Sequence, residues 1–156
     1  MSTFGTIAGV QVKPLVRHPD DRGFFEEVVR ADEGLLSRFG QLSAAWTYPG
    51  VIKAFHWHAR QEDLWFFPVG HAQVVLYDRR PGSPTQGMTQ VLYAGEDVPV
   101  VIRIPIGVAH GYRVLGPTPL CIVYLTTEPY NPQDPDEHRI PWDDPTIGFD
   151  WRTQFR

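Results

Sequence analysis

The chain has 156 residues, a formal net charge of −4, 42% hydrophobic and 13% aromatic residues, which suits one globular domain over residues 1–156 with a real core. That balance excludes a disordered chain and a polybasic nucleic-acid surface. A single cysteine, Cys121, in the apolar run LCIVYL rules out an intrachain disulfide, and neither a signal-peptide pattern nor an apolar run of about eighteen residues is present, so a cytoplasmic protein without a membrane segment is expected.

In chain order, AGVQVKPLVR (8–17) is β-rich, HPDDRG (18–23) is a turn cluster, and FFEEVVR (24–30) reads as a second strand, so the two pair as a hairpin. Asp32 is placed to cap one short helix through Glu33, Leu35, Leu36 and Phe39, stopped by Gly40. Then come QLSAAWTYP, VIKAFHWH, DLWFFPV, HAQVVLYDRR, TQVLYAG, VPVVIRIP, HGYRVLG and LCIVYLTTE, short β-branched or aromatic runs separated by Pro, Gly and Asp. Parallel units need crossover helices for which this stretch has no room. The expected fold is therefore all-β and antiparallel, a sandwich or rolled barrel, with a jelly roll the best specific form. The tail from Pro129 is rich in Pro and Asp but carries Trp142, Ile147, Phe149 and Trp151, which predicts an irregular C-terminal arm packed on the barrel. Its acidic run DPDEH (134–138) reads as a solvated loop, and Trp57, Trp65, Phe66 and Phe67 read as core or dimer surface.

Most of the chemistry lies in GVIKAFHWHARQEDLWFFPVG (50–70). Strand alternation over 51–58 puts His56 and His58 on one face with Ile52 and Ala54, Glu62 follows after a short break, and IPIGVAHGY (104–112) brings His110 opposite. Such a set can serve proton transfer or hold a metal, and His56 can equally be a core histidine tied off by hydrogen bonds.

Six ordered blocks carry a resemblance over nearly the whole chain. DDRGFFEE (20–27), GVIKAFHWH (50–58), DRRPGSPTQG (78–87), IPIGVAHGYRVL (104–115), VYLTTEPYNP (123–132) and IPWDDPTIGFDW (140–151) resemble blocks of the dTDP-4-dehydrorhamnose 3,5-epimerases, cupin-fold enzymes of activated-sugar metabolism. The resemblance implies a cupin jelly roll, a homodimer, and a substrate in which a 4-keto-6-deoxyhexose is linked to a nucleoside diphosphate, as in dTDP-rhamnose biosynthesis. It places the catalytic base on His56 and the general acid on Tyr124. Substrate contacts fall on Arg22, Glu27, Gln41, Lys53 and His110, with Lys53 standing where arginine is usual and Ser43 where asparagine is usual. Two departures touch the chemistry. The family lysine beyond the histidine strand aligns with Asp63, and the aspartate that pairs with the catalytic histidine belongs to a C-terminal segment beyond Arg156.

Proton transfer of this kind needs no cofactor. The alternative is one divalent transition metal, because Gly50, His56-x-His58 and Glu62 also resemble the first metal-binding block of metallo-cupins, with His110 as the ligand from the second. His56 cannot give the same lone pair to a metal and to a proton, so the two readings exclude each other there. A metal would, however, act as a Lewis acid in place of the charge lost at Asp63. A sugar-binding cupin without catalysis stands as a further alternative.

Overall fold

A computed structural model describes residues 3–156. In chain order the strands are β1 (Thr3–Phe4), β2 (Gln11–Pro14), β3 (His18–Asp20), β4 (Gly23–Phe25), β5 (Gln41–Thr47), β6 (Ile52–Trp57) and β7 (Asp63–Val69). They are followed by β8 (His71–Asp78), β9 (Met88–Gly95), β10 (Val100–Ile104), β11 (Val108–Leu115), β12 (Leu120–Thr126) and β13 (His138–Arg139). Two sheets face each other, one in the order β1-β9-β8-β11-β6-β13 and one in the order β2-β10-β7-β12-β5. Every pairing is antiparallel except the short β1–β9 contact. The eight predicted central runs are the eight strands β5 to β12, folded as a jelly-roll-like β barrel.

The pleat explains where the core lies. Along β8, Ala72, Val74 and Leu76 point between the sheets and meet Phe67, Ile102, Leu120 and Ile122 of the other sheet. The alternate residue Val75 points outward, yet it too is fully buried, because the C-terminal arm lays Ile147 and Trp151 over that face beside Phe55 and Ala109. Each such side chain contributes about 1.5–3 kcal/mol of burial. The arm is locked by the Trp151 indole N–H, which donates to the Trp142 carbonyl at 3.0 Å, and Phe55 packs on Trp151 with ring centroids 5.6 Å apart. Trp65 and Phe67 are core, Phe66 lies on the outer face of its sheet, and Cys121 is a buried thiol.

Three local expectations are corrected. The helix after Asp32 is only a 3-10 turn over Ala31–Glu33. Asp32 pairs with Arg30 instead of capping, and Leu35 and Leu36 are drawn onto the outer face of the second sheet, over Leu15, Leu64 and Val101. That tertiary burial outweighs weak helix propensity. The hairpin is shorter than expected, because β2 leaves the following segment to cover the edge of β10 and only His18–Asp20 pairs with Gly23–Phe25. Strand alternation also breaks within β6. His110 faces His56 and Tyr112 faces Lys53, so β6 spends three residues where β11 spends two. Ile52, Ala54 and Phe55 consequently pack together toward the arm, while His56 turns into the cavity. Gly111 permits this close approach: an added Cβ would lie 2.8 Å from the Lys53 carbonyl oxygen and closer still to Ala54 Cβ.

Candidate active site

A cavity of about 510 Å³ opens at one end of the space between the sheets. Strands β6 and β11 of the first sheet contribute His56 and His110 to its wall, and β7 and β12 of the second contribute Asp63, Trp65 and Tyr124. His56 and Tyr124 thus come from facing sheets onto one space. Gln41 lines the rim; its amide N–H donates to Ser43 at 2.9 Å and its carbonyl oxygen accepts from the Tyr130 amide at 2.8 Å.

The arm closes one side: Asp134, Pro135 and Glu137 are exposed, as a solvated loop requires, but the Asp136 side chain is buried. The Asp136 carboxylate accepts the backbone N–H groups of Ala59 and Arg60 at 2.7 Å and of Gln61 at 3.1 Å, fixing the loop between β6 and β7. Its next neighbour, Glu137, places Oε1 3.7 Å from His56 Nδ1. Pairing of β13 with the end of β6 holds that carboxylate in place, since His138 lies opposite Trp57 and Arg139 opposite His56. Burial pulls the His56 pKa below its usual value, with Glu137 opposing, so the imidazole is neutral near pH 7.

Behind His56 lies a second group. His58 donates through Nδ1–H to the Asp136 carbonyl at 2.5 Å, and His110 through Nδ1–H to the Val108 carbonyl at 2.9 Å. Both Nε2 atoms turn toward one oxygen, Asp63 Oδ2, at 3.5 Å from His58 and 3.7 Å from His110. Asp63 is held in turn by the Gln61 amide on Oδ1 at 2.9 Å and the Trp65 indole N–H on Oδ2 at 3.2 Å. Burial raises the Asp63 pKa, but His58 and His110 outweigh this and keep it below the usual carboxylate value. Burial pushes His110 down to about 4, so it is neutral. For His58, burial is outweighed by Asp63, and its pKa is raised.

The expected site residues divide. His56, His110, Tyr124 and Gln41 line the cavity together with His58. Glu62 does not join them: its carboxylate is bound by Arg103 and by the Ser37 hydroxyl at 3.1 Å. Adjacent strand residues face opposite ways, so Asp63, not Glu62, turns inward at the start of β7. Within this chain Arg22, Glu27 and Lys53 lie outside the cavity lining. Arg22 is exposed at the β3–β4 turn and pairs with Asp20; Glu27 is exposed and pairs with Arg30. Sequence reasoning missed Asp136 and Glu137 as site residues; the only local hint was a pair of carboxylates two and one residues before a histidine.

The family model for dTDP-4-dehydrorhamnose 3,5-epimerase matches residues 5–156. The spore coat polysaccharide biosynthesis protein SpsL of Bacillus subtilis is 67% identical over 150 residues, covering 96% of this chain and 99% of that one. Among solved structures, a dTDP sugar isomerase from Desulfovibrio desulfuricans superposes with a TM-score of 0.86 at 32% identity, covering 93% of this chain and 92% of the other. The 3,5-epimerase of Legionella pneumophila, solved in complex with dTDP-4-keto-L-rhamnose, gives a TM-score of 0.83 at 29% identity, covering 97% and 82%. The family model spans nearly the whole chain and the solved relatives share its fold, and the chain belongs to the dTDP-4-dehydrorhamnose 3,5-epimerase family.

Proposed function

We propose that the protein epimerises a nucleoside-diphosphate-linked 4-keto-6-deoxy sugar, with His56 as the base and Tyr124 as the acid. The observation that carries the assignment is the placement of these two groups on facing walls of one cavity. A carbon beside a ketone is inverted by removing its proton from one side and returning a proton from the other, through an enolate. His56 Nε2 takes the α-proton. Its Nδ1–H faces Glu137, whose carboxylate fixes the ring and stabilises the imidazolium as it forms. Glu137 thereby acts as the carboxylate partner that such a histidine base calls for. The Tyr124 hydroxyl delivers the proton to the opposite face. The enolate oxygen also needs a positive or hydrogen-bonding partner; the position expected to hold a lysine is Asp63, so that partner has to come from elsewhere on the cavity floor.

The same reading includes a cytoplasmic homodimer that takes a small nucleotide sugar, with no nucleic-acid or membrane partner. Support for the dimer is the β3–β4 hairpin, where Phe24 and Phe25 are 56% and 63% exposed beside Arg22. Apolar surface of this kind suits burial against a second copy, and that contact is the route by which Arg22 and Glu27 reach a cavity. The buried free thiol of Cys121 fits a reducing compartment, and among the described residues no helix is long and apolar enough to cross a membrane.

Deuterium uptake from heavy water into dTDP-4-keto-6-deoxyglucose, followed by proton NMR, tests the reading. Exchange at C3 or C5 that is lost in His56→Asn is expected. Absence of exchange at both carbons, with this and other 4-keto sugar nucleotides, would overturn it in favour of a sugar-binding module.

A further inference from the structure

We propose that His58, Asp63 and His110 hold a divalent first-row transition-metal ion on the cavity floor, with its remaining coordination positions open to the substrate. One ligand atom from each of the three residues lies within 4.8 Å of the others. The arrangement differs from the expected metal set in two ways: Asp63 replaces Glu62, and His56 stands outside it.

The backbone bonds of the two histidines fix one proton on each ring. A backbone carbonyl only accepts, so the bonds to Asp136 and Val108 put a proton on Nδ1 of both histidines. That leaves Nε2 of each aimed at a carboxylate oxygen, so that with His58 neutral three acceptors converge on one point. A cation satisfies this convergence, either the proton that Asp63 favours on His58 or a metal ion that displaces it. Two neutral donors also hold the carboxylate, the Gln61 amide on Oδ1 and the Trp65 indole N–H on Oδ2. Carbonyls that fix the distal imidazole nitrogen are also the usual outer support of a metal-bound histidine. Two imidazoles and a carboxylate form a donor set suited to zinc, iron, cobalt, nickel or manganese.

The dimensions agree. Bonds of about 2.0–2.2 Å set neighbouring ligand atoms roughly 3.0–3.5 Å apart. The two Nε2–Oδ2 separations, 3.5 and 3.7 Å, need to contract by roughly a few tenths of an ångström to reach that range, and the remaining pair, within 4.8 Å, closes further by rotation of the imidazoles. Three protein ligands leave at least one position for water or substrate, and the cavity supplies the space. Because His56 is free of the cluster and directed by Glu137, base and metal no longer compete for one nitrogen. The metal's role rests on the epimerase reading: an ion bound at Asp63, where the relatives are expected to carry lysine, polarises the ketone oxygen and stabilises the enolate.

The test uses untagged full-length protein, stripped with chelator and titrated with Co²⁺ while visible absorption is followed, with Zn²⁺ competition as a second readout. About one Co²⁺ per chain is expected, weakened by more than about 100-fold in His58→Asn and Asp63→Asn and unchanged in His56→Asn. Asparagine at position 58 retains an N–H for the Asp136 carbonyl, and circular dichroism verifies that each variant folds; if Asp63→Asn does not, His58→Asn alone decides. A wild-type protein without saturable Co²⁺ or Zn²⁺ binding, or binding that survives His58→Asn but not His56→Asn, overturns the site. Deuterium exchange on the same samples judges the epimerase reading separately: exchange by a protein that binds no metal removes only the metal, and metal binding without exchange removes only the epimerase.

Discussion

Replacing Glu137 with glutamine isolates the contribution of one charge to catalysis. Glutamine keeps the shape of the side chain and an oxygen facing His56 Nδ1, but the negative charge 3.7 Å away is gone. At that separation two unit charges interact by about 1.1 kcal/mol in bulk water and about four times that at an effective dielectric near 20. Glu137 is 44% exposed and His56 30% exposed, which places the pair near the aqueous end, at about 1–2 kcal/mol. Because the imidazolium exists only once the proton has moved, this stabilisation belongs to the transition state and appears in kcat. The expected loss is about 5–30-fold in the exchange rate at saturating substrate, with KM little changed. Glu137→Ala loses orientation as well and should fall further. Stopped-time NMR of deuterium incorporation supplies the rates. A glutamine variant with wild-type kcat, or one in which the whole loss lies in KM, would refute the pairing of Glu137 with the base.

Tyr124→Phe should lower exchange with net inversion by about 10²–10⁴-fold without changing the melting temperature, as checked by calorimetry and NMR. Glu62→Gln should destabilise by about 1–3 kcal/mol, since it weakens a largely buried contact with Arg103, yet leave Co²⁺ binding and exchange as in the wild type; loss of Co²⁺ would restore Glu62 as a ligand in place of Asp63. Asp78 is fully buried and bonded by Arg80, Ser83 and Thr85 at 2.6–2.8 Å; burial would raise its pKa, but these donors outweigh burial and hold it well below the usual value. A folded pKa below the unfolded one gives stability that is full above about pH 4 and drains away as pH falls through the folded value. Asp78→Asn should therefore cost about 3–5 kcal/mol at pH 7 and flatten the acid limb of a melting-temperature profile; an unchanged acid limb would contradict this.

The strands were legible because each half-buried run states its own period, and burial on the facing sheet agrees with it. Where a second surface intervened, local pattern failed. Leu35 and Leu36 look helical beside Asp32 only until the outer face of the second sheet, around Leu64 and Val101, is known to need covering. The metal spacing was similarly underdetermined: Glu62 and Asp63 are both carboxylates at acceptable distance from His58. Only the register of β7, which sets Asp63 opposite Ile104 and Thr126, decides which one faces inward. Glu137 was illegible because its partner His56 lies far back in the chain, and a Pro- and Asp-rich segment carries no sign of a tertiary contact.

The arm from 134 to 139 ties the two halves of the site together. The Asp136 carboxylate clamps the loop between β6 and β7, its carbonyl orients His58, and the adjacent Glu137 addresses His56. The proposed base and the proposed cation site therefore both depend on two consecutive residues of one strap, held to β6 by β13 pairing and by the Phe55–Ile140 backbone bonds. The proposed metal ion would replace the positive charge of the lysine expected at Asp63, and Glu137 supplies a negative charge beside His56. Here both charges are organised by the same short segment, so the extra histidine at 58, the aspartate at 63 and the acidic arm are best understood as one coupled change. Loss of His58 alone leaves the buried Asp63 carboxylate without its nearest imidazole, which is costly, whereas loss of the half-exposed Glu137 strands no buried charge.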